Sequence, residues 1–346
     1  MNFFRKALKK IKLFVLYWTR IVFVKNNFKV GFFTKLKANL CGGFLADQYI
    51  LYDFKHNDKS EYLSEFDWYR SRYINEPFDF AFNNKVICAE LLKPHMRVSE
   101  NYFLKNKGIL YNFTDGPKNN EDVFSALKEH GKLIIKPYDR GKGVGVHLLE
   151  FKNNEILIDT KSVSKDEFYT FLDERDEFVL CEFIQQHEYS DNLFSKTANT
   201  IRLITMRDTK THKMKVFFAV QRVGTSKTIP VDNGSRGGLV CKIDLETGQL
   251  SEARCLHDLN VYEVHPDSGT RFEDVFIPRW NEIKEEVLAV AEKISFMDFI
   301  AWDLIVTDDG VCVIEANTSS GVNIIQLWGG QRNGELGDFF RHYNVI

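Results

Sequence analysis

At 346 residues the chain is long enough to bury two or three cores. With 44% hydrophobic and 27% charged residues it has the composition of a globular protein, and a formal net charge of -2 excludes a general affinity for nucleic acid. The six cysteines, at 41, 88, 181, 241, 255 and 312, form no CxxC pair. That pattern excludes a disulfide scaffold, suits reduced thiols and a cytoplasmic protein, and leaves most of them as small core residues.

The first element is a basic arm. Residues 1–46 hold Arg5, Lys6, Lys9, Lys10, Lys12, Arg20, Lys25, Lys29, Lys35 and Lys37, with no acid before Asp47. Apolar residues are interleaved, as in "FFRKALKKIKLFVLYWTRIVFV", but the longest uncharged run, Leu13 to Thr19, is far short of the roughly 20 residues that span a bilayer. No small-residue cleavage site follows a long apolar stretch, so a secretory signal is not expected. Two readings stand. The arm rests on an anionic membrane surface, at the inner face of the cytoplasmic membrane, or on membrane-bound glycan machinery. Alternatively, it packs on the body of the protein with its lysines in water.

Beyond the arm, 47–118 reads as a helical, substrate-side region. A helix is expected near 84–92, preceded by "NNK", which resembles a binding or positioning turn, and "RVSENYFLKNKGILYN" reads as a connection. "NNEDVFSALKEHG" is a helix that Asn120 caps and Gly131 ends. "KLIIKPYDRGKGVGVHLLE" is strand, glycine-rich turn, strand; "NEILIDT" and "EFVLCEFIQQHE" are strands around a short helix at 165–173. "TIRLITMRD" pairs with "KMKVFFAVQRVG", and "GGLVCKIDLETGQLSEARC" repeats that pattern around Thr247-Gly248. After the amphipathic helix "WNEIKEEVLAVAEKI" come two apolar strands joined at Asp309-Gly310. The connections are too short for crossover helices, so antiparallel pairing is expected. The division is a small α+β lobe at 119–185 and a larger antiparallel lobe at 186–346.

Three stretches carry chemistry. Gly141, Gly143 and Gly145 alternate with Lys142 and Val144, a turn that lets backbone N–H groups approach phosphate without obstruction from Cβ. It is neither the dinucleotide fingerprint nor the Walker loop. By itself it is also compatible with a plain tight turn. In "LCEFIQQHE" the main chain can meet a purine edge while Glu182 or Glu188 takes ribose hydroxyls, although surface carboxylates would look the same. In "FIAWD" and "VIEAN", adjacent hairpin strands set Asp303 beside Glu315, with Asn317 on the same side. Such oxygen donors suit Mg²⁺ bound to a nucleotide's phosphates, because paired carboxylates with no cation would repel each other.

Taken together, Lys136-Pro137 with "RGKGVGV", "CEFIQQHE", "NTIRLIT", "AWDLIV" and "VIEANTSSG" resemble the ATP-grasp superfamily. With "VDNGSRGGLVCKIDLETGQL" they resemble more narrowly its sugar-transfer-associated branch, often found beside polysaccharide-assembly genes. The similarity covers about residues 80–335. It implies an α+β ATP-grasp fold, two lobes clasping ATP with Mg²⁺. Lys136 would contact the α- and β-phosphates and the loop Gly141–Gly145 would close over them. Backbone at Glu182, Phe183 and Ile184 would hold adenine, with Glu188 on the ribose and Asn199 also in the nucleotide site. Asp303, Glu315 and Asn317 would bind Mg²⁺, while Arg236, Ser320 and Gly321 would face the acceptor.

The resemblance also implies the reaction. Members join a carboxylate to an amine through an acyl phosphate; here an amino acid or amino sugar would be attached to an acidic sugar, free or lipid-linked, in capsule or lipopolysaccharide assembly. Many such ligases carry an arginine two residues before the first metal carboxylate, where this chain has Ala301. Arg202 would substitute, with Arg222 as a further donor. A sugar phosphotransferase and a non-catalytic nucleotide-binding assembly protein remain open as alternatives.

Overall fold

Two antiparallel sheets organise the protein. The computed structural model describes residues 2–139, 141 and 143–346, so Lys142 of the glycine-rich turn lies outside the described residues. The first sheet contains β1 (Asn101–Asn106), β2 (Ile109–Asn112), β3 (Gly116–Lys118), β4 (Lys132–Pro137), β5 (His147–Lys152), β6 (Glu155–Ile158), β7 (Lys161–Val163) and β8 (Phe178–Glu182). Their spatial order is β3-β2-β1-β8-β4-β5-β6-β7. The second contains β9 (Ile201–Arg207), β10 (Met214–Val223), β11 (Leu239–Ile243), β12 (Leu250–Cys255), β13 (Val261–Tyr262), β14 (Phe299–Thr307) and β15 (Gly310–Asn317). It runs β13-β12-β11-β10-β9-β14-β15.

In the first sheet, alternation of side chains sends Leu133, Ile135, Leu149, Phe178 and Leu180 to one face. There they pack on Val123, Phe124 and Leu127 of the helix Asn120–His130 and on Phe168 and Leu172 of the helix Lys165–Asp173. Both helices begin on capping boxes, Asn119 with Asp122 and Ser164 with Glu167. The cap is therefore Asn119 rather than Asn120: its backbone is extended and its side chain accepts from the Glu121 and Asp122 N–H groups. Gly131 ends the helix at φ 73°, as expected.

The stretch expected to be a mere connection is instead part of the sheet. β1 pairs with both β2 and β8, because Phe103 and Leu110 complete the core that the helices cover. Lys105 shares the inward face with Phe103, while Leu104 and Ile109 lie on the outer face, so these short strands show no clean alternation in the sequence. The strand expected to run through "EFIQQHE" stops at Glu182, and Glu188 opens a helix, Glu188–Phe194.

The second sheet is covered on both faces. Ile201, Leu203, Trp302 and Leu304 pack under Ile283, Val287 and Val290 of the helix Trp280–Lys293. Ile204, Val220 and Ala301 pack against Val322, Leu336, Phe339 and Phe340 near the C-terminus. Two segments cross between the sheets. Arg97–Ser99 lies along β15, where Ser99 N donates to Val313 O and Val313 N to Arg97 O, before entering β1. The second follows β8, and His187 N donates to Val306 O of β14 at 2.8 Å. All six cysteine thiols are free, and every one except Cys41 is buried.

Because the Asn119 side chain satisfies two otherwise orphaned N–H groups, Asn119→Ala should destabilise the small lobe by about 1 kcal/mol. Urea unfolding followed by circular dichroism checks this; an unchanged midpoint would refute the capping role.

Candidate functional site

The β14–β15 hairpin would not by itself set two carboxylates side by side. Counting back from Thr307 opposite Gly310, its initial register would place Ile314 across from Asp303. A bulge between Asp303 and Leu304 takes up one residue, so Asp303 faces Glu315 and Ala301 faces Asn317. The displaced Ile314 joins Ile184, Ile305 and Cys312 in an apolar patch beside the segment that follows β8. One irregularity thus builds both a carboxylate pair and an apolar surface next to the interlobe crossing.

On its other side, Asp303 is the cross-strand neighbour of Arg202 on β9. Arg202 Nε donates to Asp303 Oδ1 at 2.6 Å and Nη2 to Oδ2 at 2.9 Å, a two-pronged pair. Arg222 of β10 adds Nη1 to Asp303 Oδ1 at 3.3 Å and Nη2 to Asp232 Oδ1 at 2.7 Å. Asp232 also accepts from the Thr200 N–H and hydroxyl. Burial would raise the pKa of either aspartate. At Asp303 two guanidiniums outweigh burial and lower it; at Asp232 burial prevails over Arg222 and the Thr200 hydrogen bonds, and it is raised.

This corrects the premise that the paired carboxylates lack a compensating cation. Three side chains supply one: Arg202, Arg222 and Lys85, whose Nζ lies 3.6 Å from Glu315 Oε1. Lys85 and Asp232 were not singled out in the sequence. "NNK" was a partial signal for Lys85: Asn84 caps the helix Lys85–Leu92, and Lys85 N donates to Tyr138 O beside the end of β4. Asp232 sits in "VDNGSRGG", where nothing local marks it as the partner of an arginine ten residues earlier.

Lys85, Lys136 and Glu315 line one recess between the sheets, with Cys88, Asn101 and Val313. Among the described residues the Lys136 amine makes no hydrogen bond or ion pair. The neighbouring turn suits close approach of an anion: Gly143 and Gly145 have φ of 64° and 75°, and a Cβ on Gly143 would lie 3.2 Å from Val231 of the other lobe. Val144 is exposed between them and Gly141 has open space around it.

Other expected residues are placed differently. Asn199 is buried and fully engaged: its amide donates to Ser190 O and Phe194 O and accepts from Thr197 Oγ1 and Gly224 N. It ties the helix Glu188–Phe194 to the sheet and has no capacity left for a nucleotide. The Glu182 carboxylate is held by Arg97 at 3.3 Å, and its main-chain N–H and C=O are taken by Glu100 and Ser99. That leaves Phe183 and Ile184 as the main-chain positions of this segment that can meet a base edge. Phe183 lies against the Lys132 amine, and Glu188 is exposed in a first helical turn. Ser320 Oγ is 3.4 Å from Arg202 Nη1, Gly321 precedes the short helix Val322–Ile325, and Arg236 stands exposed at the end of a 3₁₀ turn outside the cluster.

The donor set fits the groups the motifs imply. Glu315, the Asn317 amide and the one Asp303 lone pair left after its three arginine contacts are hard oxygen donors of the kind Mg²⁺ takes alongside phosphates. The Lys136 amine, unpaired among the described residues, and the glycine turn that follows β4 in the chain fit a polyphosphate.

Residues 67–334 match the family described as sugar-transfer associated ATP-grasp. The chain belongs to that family. No curated protein matches its sequence. Among solved structures, it is similar to the ATP-grasp ligase PsnB complexed with minimal precursor, at 15% identity and a TM-score of 0.42, covering 78% of this chain and 63% of that one. It is also similar to D-alanyl-alanine synthetase A from Vibrio cholerae, at 13% identity and a TM-score of 0.43, covering 77% and 65%. The chain thus spans less than two thirds of the length of either. This ATP-grasp protein has the expected two α+β lobes, with the crossing segments between them.

Asp303 is buried and its pKa lowered, so its stabilising contribution is fully present above the unfolded value of about 3.9 and is lost as pH falls through the lower folded value. Asp303→Asn, which removes the charge facing two arginines, should destabilise the EDTA-treated protein by about 3 kcal/mol at neutral pH. The gap from wild type should narrow in acid. Urea unfolding across pH reads this, and a gap independent of pH would refute the ion-pair account.

Proposed function

We propose that the recess between the sheets binds ATP with Mg²⁺ and that the protein is an ATP-dependent carboxylate–amine ligase. The observation that carries this reading is the meeting of Lys136, Lys85, Glu315, Asp303 and Arg202 at one interlobe position. We further assign the acceptor to an acidic sugar of a surface polysaccharide and the nucleophile to an amino acid or amino sugar; the family description supports the sugar part of this assignment.

Each residue has a task in that reading. Lys136 and the backbone of Gly141–Gly145 neutralise and enclose the phosphates, and the loop, packed on Val231, excludes water from an intermediate that would otherwise hydrolyse. The apolar patch of Ile184, Ile305, Cys312 and Ile314 supports the base, and the main chain at Phe183–Ile184 meets its edge. Glu315, Asn317 and Asp303 hold the metal. ATP with Mg²⁺ supplies the γ-phosphoryl group that turns a carboxylate into an acyl phosphate open to amine attack. Arg202 and Arg222, already fixed by carboxylates, place positive charge where phosphoryl oxygens or the acceptor acid would lie. Position 301 supplies no such charge: Ala301 is fully buried, in one cluster with Ile204, Phe299 and Val322.

Glu315→Gln is nearly isosteric and weakens the 3.6 Å contact with Lys85 and the attraction to Arg202, which keeps its pairing with Asp303, so the fold should persist. Mg²⁺-dependent ADP release should fall at least about a hundredfold, the scale of losing one charge-stabilising group. Turnover at the parent rate would remove Glu315 from the metal site. Identity of the reaction is read by mass spectrometry of sugar acids incubated with amino compounds, ATP and Mg²⁺. A product lighter by one water than the two substrates combined is expected. A phosphorylated sugar formed without any amine would replace the ligase with a phosphotransferase.

A further inference from the structure

The first forty residues expose apolar surface that the rest of the chain leaves uncovered. Phe4, Leu8, Ile11 and Val15 recur at intervals of four, three and four along the helix Asn2–Tyr17, so they share one face. All four are exposed, Phe4 at 83%, with Phe14 beside them. The inner side of this helix is already occupied. Lys9 reaches Glu76 at 3.7 Å and lies over the Tyr73 ring, while the Tyr17 ring is 5.2 Å from that of Phe66. The arm is therefore both packed on the protein and apolar on its outer face.

A second helix repeats the arrangement. Phe32–Leu40 buries Ala38 and Asn39 and exposes Phe32, Phe33, Leu36 and Leu40, Phe33 at 82%. The Tyr17 hydroxyl donates to the Asn39 carbonyl and the Lys35 amine to Val24 O, which fixes the two helices beside each other. Of the 22 large apolar side chains exposed among the described residues, ten fall between Phe4 and Leu40, so this is a concentrated surface rather than ordinary scatter. Exposed Lys10 and Lys12 lie on the first helix beside its apolar stripe, and Lys25, Lys29 and Lys37 are exposed nearby.

We propose that this surface docks on an anionic lipid bilayer, with both helices in the plane of the interface. Apolar side chains would enter the headgroup–acyl boundary and the lysines would meet lipid phosphates. The charge decides the occupant. Ten basic residues and no acid in 1–46 oppose pairing with the same surface of a second copy, which would set like charges together, and favour a negatively charged sheet. No described helix is long and apolar enough to cross a membrane, which agrees with docking in the plane. The inference does not depend on the nucleotide site.

The test is co-sedimentation of the full chain with vesicles of phosphatidylcholine alone and of phosphatidylcholine mixed with phosphatidylglycerol. Binding to the mixed vesicles, little to the neutral ones, and release as salt rises are expected. Leu8→Asp together with Phe33→Asp should lower partitioning at least about tenfold, because two inserted apolar side chains are lost. The melting temperature should stay unchanged, since both side chains are exposed. Lys10→Glu with Lys12→Glu should weaken binding to the anionic vesicles only. Wild-type protein that ignores the mixed vesicles, or a double aspartate variant that binds them equally, would overturn the proposal. So would self-association abolished by the aspartates with no vesicle binding, which would assign the surface to a second copy.

Discussion

A carboxylate taken out of water in the middle of a sheet must be met by positive charge, and in this protein Asp303 sets that demand. Removing a carboxylate from water costs several kcal/mol even after the protein relaxes. The cost is offset only because β9 and β10 deliver Arg202 and Arg222 to the same face. Those arginines in turn need partners, which brings in Asp232 and, through it, Thr200 at the entry to β9. The alternation Asp232–Arg222–Asp303–Arg202 is thus one connected structure. Register on β9, β10 and β14 cannot slip by a residue without burying an uncompensated charge.

The same alternation bears on ligand binding. A divalent cation alone would compete for Asp303 and leave the arginines short of a partner; a phosphate alone would compete for the arginines and leave Asp303 short. A metal–nucleotide pair replaces each partner with another of the same sign. On the proposed function, the ion pairs keep the side chains ordered without ligand and exchange partners with little net loss of compensation when both arrive together. Lys136 differs from these groups in having no partner among the described residues, so phosphate displaces nothing from it.

How much of this could be read beforehand depended on whether a residue's partner was local. The β14–β15 hairpin, its two carboxylates, the glycine-rich turn and the helix caps are encoded within a few residues, and the sequence carried them, apart from the one-residue shift at Asn119. The bulge at Ile314 was invisible because a plain hairpin and a bulged one have the same apolar pattern. The engagement of Asn199 is hidden for a related reason. A buried amide that ties together backbone from Ser190, Phe194 and Gly224 looks, in one dimension, the same as one that waits for a ligand. The arginine pairing was hidden because its acids lie 10 and 101 residues from Arg222 and Arg202. β1 and β2 are hidden because short strands with Lys105 facing inward and Leu104 and Ile109 facing outward lack the alternation that separates a strand from a loop.

The N-terminal arm and the site are joined by packed side chains, and this constrains how an acceptor could arrive. The Tyr17 ring meets Phe66 on the helix Glu65–Ser71; on the same helix, Trp68 Nε1 donates to Ser319 Oγ at 3.3 Å, next to the serine that contacts Arg202. Tyr52 donates to Asn323 Oδ1 at 2.8 Å, and Gln326 holds the Leu63 main chain from both sides, so the turn after β15 is fastened to the N-terminal helices at several points. Such a path carries no signal by itself, but it fixes orientation. A surface resting on lipid through Phe4, Leu8 and Phe33 would hold the Ser319–Gly321 end of the site at a set attitude to the bilayer. An acceptor carried on a lipid would then meet the site without the whole protein having to reorient, whereas a freely diffusing acceptor would gain nothing from that attachment.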